Sequence, residues 1–160
     1  MKRDYRKILR TCSKIMFGVY IIFLIYFLFF AESTGRTFEG RTYHYNLVLF
    51  KEIGRFWHHR KTLGVLPVML NLVGNVVAFL PLGFFLPIMY QKCRSFFYTV
   101  FFCFEFSLIV ETIQLISKVG SFDVDDLLLN TMGGAIGYLC FITLNYMRRK
   151  HHEKKEENQL

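Results

Sequence analysis

The residues equipped for chemistry lie where they are hardest to accommodate. Glu111, Gln114, Asp123, Asp126 and Asn130 fall in the run ETIQLISKVGSFDVDDLLLNTMGG, and Asn71 and Asn75 sit earlier in NLVGN. A carboxylate or amide set into apolar sequence is destabilising unless a partner satisfies it. Carboxylates flanked by amides can bind a polar headgroup or a peptide. They can also act as an acid/base pair on a lipid-linked substrate, or carry a proton in a small-solute or proton-coupled transporter. No Ser, Cys or His stands beside Glu111 or Asp126 to serve as a nucleophile, which disfavours the enzyme and leaves binding as the expected role.

Asp123 or Asp125 has a local use as well, as N-cap of the helix that follows. A cation held by Glu111, Asp123 and Asp126 would match no established metal-loop spacing. His58 and His59 are adjacent and point apart on a helix. No metal and no cofactor is therefore expected.

Four apolar segments must position these groups. Met1–Lys14 is a basic leader, and Ile15–Ala31 is apolar without a charge. That run is long for a signal peptide, and Phe29 is too large for a small-residue cleavage site, so a retained helix extending back through Cys12 is expected. Val68–Tyr90, with Pro81, Gly83 and Pro87 inside it, is the second segment, Ser95–Ser117 the third and Asp125–Met147 the fourth. Arg148–Leu160 is a charged tail expected to be disordered. In the long loop before Pro67, Leu49, Phe50, Ile53, Phe56 and Trp57 recur at helical spacing, which predicts an amphipathic helix lying at the membrane surface. The expected fold is all-α: a polytopic membrane protein with four transmembrane helices and one interfacial helix. Its organisation is a leader at 1–14, a membrane domain at 15–147 and a tail at 148–160.

Composition agrees with that class. The chain has 160 residues, 53% of them hydrophobic, with 19 Phe gathered in long blocks, and its mean hydropathy is +0.31. The net charge of +8 does not imply nucleic acid, because the basic residues flank apolar segments. Cys12, Cys93, Cys103 and Cys140 form no CxxC pair, so small apolar fillers are expected rather than a disulfide framework.

Lysine and arginine are denser in the leader, at Lys92 and Arg94, and in the tail than in the intervening loops, which predicts both termini in the cytoplasm of a multi-pass cell-membrane protein. That topology sets depths. Asn75, Glu111 and Asn130 each fall about 8 to 10 Å below the outer edge at ~1.5 Å per residue. Asn71 and Asn75 share a face, as do Glu111 and Gln114, and Asp126 and Asn130. Gly133, Gly134 and Gly137 continue the last of these faces, and the GxxxG of Gly133 and Gly137 suits close approach of another helix. Three helices thus present polar groups at one level, predicting an outward-facing polar pocket. Glu105, near mid-span, lies off the Glu111 face and finds no role in this scheme.

The blocks NLVGNVVAFLPLGFFLP, ETIQ and GSFDVDDLLLNTMGG, in that order, resemble the VanZ-like family, and YNLVLFKEI resembles its pre-helix loop. The resemblance covers Tyr45 to Tyr138 and maps onto Asn71, Asn75, Pro81, Gly83, Glu111, Gln114, Asp123, Asp126, Asn130 and Gly134. Where the family often carries Arg before the first Asp of the last block, this chain has Lys118. The resemblance implies a small multi-helix membrane protein associated with resistance to teicoplanin-type glycopeptides. Its implied partners are membrane lipids and a cell-wall precursor or lipoglycopeptide, with a homo-oligomer as a further expectation.

Overall fold

A computed structural model of the chain describes residues 2–26, 43–58 and 65–157. Among them are five helices: α1 (Lys2–Tyr26), α2 (Lys51–His58), α3 (Val65–Met89), α4 (Phe96–Ser117) and α5 (Val124–Glu157). A single 3-10 turn, Lys92–Arg94, joins α3 to α4. Two short strands, β1 (Tyr45–Asn46) and β2 (Phe122–Asp123), pair in parallel, with Tyr45 opposite Phe122 and Asn46 opposite Asp123.

Three of the helices hold stretches long and apolar enough to cross a membrane: Leu72–Met89, Phe96–Ser117 and Val124–Lys155. The apolar part of α1, Thr11–Tyr26, is shorter, about 24 Å at ~1.5 Å per residue. The rest of the expected first span, 27–31, lies outside the described residues, as do loop residues 32–42 and 59–64. The side chains of Phe56 and Trp57 on α2 also lie outside them.

Two boundaries differ from expectation. The basic leader is helical from Lys2 and continuous with the apolar part of α1. The charged tail is not disordered: α5 runs on to Glu157. Beyond Gly137 it contains no Gly or Pro, and Lys, Arg and Glu are strong helix formers, with Arg149 and Glu153 at the favourable four-residue spacing. The all-α expectation also missed the β1–β2 pair. Two-residue strands leave no period to detect, and their pairing joins segments far apart in sequence.

Helices α3 and α5 run side by side in the same direction, with α4 antiparallel. They approach closely because Gly83 lies against the backbone of Gly134, and Gly133 and Gly137 lie against the Val76 and Leu80 carbonyls. A Cβ at Gly83, Gly133 or Gly137 would strike main chain, and one at Gly134 the Cys103 side chain, so glycine sets the spacing. Phe79, Leu82, Leu86, Cys103 and Val110 fill the core, and Leu24 joins it from α1. Exposed Phe97, Phe101, Ile109, Ile116 and Leu139 cover the outside, as a helix bundle in lipid requires.

Helix α1 packs on α3 through Phe17 against Phe85, with ring centroids 6.3 Å apart. The Tyr20 hydroxyl donates to the Ala78 carbonyl at 2.6 Å. That carbonyl neighbours the one on Val77, for which Pro81 supplies no N–H. At the far end of the bundle, the Tyr138 hydroxyl donates to the Arg94 carbonyl at 2.6 Å and the Thr99 hydroxyl to the Cys93 carbonyl at 2.5 Å. Lys14, Lys92 and Arg94 gather at that end. The buried acids and amides gather at the opposite one.

Candidate functional site

The site begins where α4 stops. Lys118 adopts a left-handed conformation, φ 55°, and the Gln114 carbonyl accepts from Val119 N at 3.2 Å and Gly120 N at 3.3 Å. This closes the helix and turns the chain back. The Lys118 ammonium sits 4.5 Å from the centroid of the Tyr43 ring, a cation–π contact.

Asp123 opens α5. Its Oδ1 accepts from Asp125 N at 2.8 Å, making it the N-cap. The same oxygen accepts from Asn46 Nδ2 at 3.1 Å. The Asp123 N–H donates to Glu111 Oε2 at 3.1 Å. One residue therefore ties together α4, α5 and β1. Glu111, Gln114 and Asp123 are buried, with 3%, 4% and 6% of their surfaces exposed. Asn46, which the sequence did not single out, is buried with them and also accepts from Val48 N through its side-chain oxygen.

Asp125 serves a different helix. Its Oδ1 accepts from Phe50 N at 2.5 Å and its Oδ2 from Ile53 N at 3.2 Å, so it caps the start of α2 from across the fold. Phe50 is held there at φ 63°, a region unfavourable for a bulky residue.

A second layer lies deeper. Asn75 Nδ2 donates to Asp126 Oδ1 at 2.5 Å, linking α3 to α5. Asn130 Nδ2 donates to Ser107 Oγ at 2.9 Å, linking α5 to α4. Asn130 is 1% exposed, and its Oδ1 has no hydrogen-bond partner among the described residues. Ser107 is a functional candidate that sequence reasoning missed. Its signal is the spacing Thr99, Cys103, Ser107, Glu111, Gln114, a polar and small stripe along one buried face of α4.

The structure thus brings Glu111, Asp123, Asp126, Asn75 and Asn130 to one end of the bundle. Asn71 belongs to α3, but its side chain lies outside the described ones. Pro81 lies farther along α3, and Gly83, Gly133, Gly134 and Gly137 form the helix contacts described above. Glu105 is exposed on the apolar outer face of α4. Among the described residues no group of three His, Cys, Asp or Glu side chains has metal-binding geometry.

Beside the buried acids runs an exposed apolar ridge. Tyr43, Tyr45, Leu47, Val48, Leu49 and Phe50 all point outward. Asn46, between them, points inward to Asp123. The ridge is fastened directly to the cluster.

A helical bundle with three membrane-length apolar helices and a buried acid–amide cluster at one end defines a small integral membrane protein. The VanZ/LLP1 family model matches residues 17–145, and the chain belongs to that family. Protein VanZ of Enterococcus faecium is 29% identical over 119 residues, which is 69% of this chain and 71% of that protein. No solved structure matches the chain.

Proposed function

We propose that this protein lowers susceptibility to a teicoplanin-type glycopeptide by engaging an amphiphilic molecule, a cell-wall precursor or the drug itself, at the outer leaflet. Four helices cross the membrane with both termini in the cytoplasm, and α2 lies in the outer interface. The polarity of the bundle supports this orientation, since its basic end belongs inside by the distribution of lysine and arginine. Glu111, Asp126, Asn75 and Asn130 are the binding groups, with Asn71, Gln114 and Asp123 around them.

The observation that carries the reading is the apolar ridge, Tyr43 to Phe50, joined to the acid–amide cluster through Asn46 and Asp125. A molecule with a lipid tail and a hydrogen-bonding head meets both surfaces at once: the ridge takes the tail and the cluster takes the head. Family membership supplies the link to glycopeptides.

The test is deletion of the gene and complementation with wild type, Glu111→Gln and Asp126→Asn. Both variants keep an accepting oxygen, so the contacts to Asp123 N and Asn75 persist. The expected result is teicoplanin sensitivity on deletion, rescue by wild type, and weak rescue by the variants at equal membrane levels. Unchanged susceptibility on deletion, or full rescue by both variants, sinks the proposal.

A further inference from the structure

At the basic end of the bundle, α1 and the end of α3 leave a cleft of about 160 Å³ between them. Ser13, Lys14 and Gln91 supply its polar lining, and Ile88 and Met89 its apolar lining. The cleft sits where the membrane-length stretch Leu72–Met89 ends: Ile88 and Met89 close that stretch, Gln91 lies just beyond it, and Ser13 and Lys14 stand at the start of the apolar stretch Thr11–Tyr26. Further along the same α1–α3 contact, Phe17 packs on Phe85.

The polar groups here behave differently from those at the other end. Asn75, Asp123, Asp125, Asp126 and Asn130 bond to one another or to nearby main chain. The Lys14 ammonium, the Ser13 hydroxyl and the Gln91 amide instead line one open space. Lys92 and Arg94 follow directly on the turn beyond Gln91. The nearest acid in sequence to Lys14 is Asp4, ten positions back.

We infer that this cleft binds the phosphodiester of an anionic phospholipid. Lys14 supplies the counter-charge. Ser13 and Gln91 donate hydrogen bonds to the phosphate oxygens. Ile88 and Met89 take the first carbons of the acyl chains. Basic clefts between helices at the membrane edge suit such headgroups, because the phosphate is met at its own depth while the chains stay in hydrocarbon. The site is independent of the acid–amide cluster and of the function proposed for it.

The full chain is purified in detergent, supplied with phosphatidylglycerol or phosphatidylcholine, and retained lipid is counted by native mass spectrometry. Wild type retains phosphatidylglycerol in preference to phosphatidylcholine, because the two share the phosphodiester but the choline cation would face Lys14, Lys92 and Arg94. Lys14→Gln lowers phosphatidylglycerol retention about fivefold, the equivalent of ~1 kcal/mol for one basic side chain at a lipid surface. Lys154→Gln, in the distal tail, leaves it unchanged. Inorganic phosphate fails to displace the lipid, because it lacks the acyl contact. Circular dichroism confirms that each variant is folded. Equal retention by the Lys14 and Lys154 variants, no preference for the anionic lipid, or displacement by phosphate overturns the inference.

Discussion

Asp125 is the residue whose removal reports most directly on how the site is assembled. It is 1% exposed, and its two oxygens accept from Phe50 N and Ile53 N at the start of α2. Asp125→Ala removes both acceptors. A hydrogen bond to a charged group contributes about 1.5–3 kcal/mol, and loss of a helix cap costs about 0.5–2 kcal/mol. Phe50 is exposed and Ile53 half-buried, so water replaces part of what is lost. The net cost to the docking of α2 is therefore about 2 kcal/mol, at the lower end of the summed contacts. Asp125→Asn keeps one accepting oxygen and should cost about half as much. The assay is amide hydrogen exchange of the detergent-solubilised protein. Exchange at Phe50 and Ile53 should accelerate about 30-fold in the alanine variant, since 1.4 kcal/mol is tenfold. Amides of α3 around Phe79 and Leu82 should not change. Unchanged exchange at residues 50–53, or equal acceleration in α3, would refute the view that Asp125 is a cap reaching across the fold.

Three further outcomes follow from the same geometry. Ser107→Ala leaves the Asn130 amide without its partner and should destabilise the bundle by about 1–3 kcal/mol, whereas Ser107→Ala with Asn130→Leu should recover most of it; additive losses in thermal melts would contradict this. Gly137→Ala places a Cβ on the Leu80 carbonyl and should cost about 1–3 kcal/mol by forcing α3 and α5 apart, and an unchanged melting temperature would show that the helices do not meet there. Burial pushes the Cys93 thiol above its ordinary range, so its reactive thiolate is scarce at neutral pH and grows only as pH rises. At about pH 7.5, roughly one unit below a free thiol, maleimide should label exposed Cys12 well before Cys93, and equal rates read by peptide mapping would contradict the burial.

The sequence by itself determined the apolar segments and the polar positions within them. Charge and hydropathy vary along the chain with a period that reports a helix and its faces, so the glycines of α5 and the carboxylates around Asp123 were legible before any coordinates. Partners were not. Asn46 and Asp123 are separated by 77 positions, and Phe50 and Asp125 by 75. No local period couples such distant residues, and Asn46 looks like any loop asparagine until β1 pairs with β2. Ser107 reads as a small residue in an apolar helix, and only the approach of α5 makes it the partner of Asn130. Asp125, beside the N-cap, carries the local signature of a residue that serves its own helix, yet it caps α2 instead. Tertiary packing decided these assignments, because a buried hydrogen bond is formed with whichever group the fold brings within reach, and that distance is a property of the folded chain.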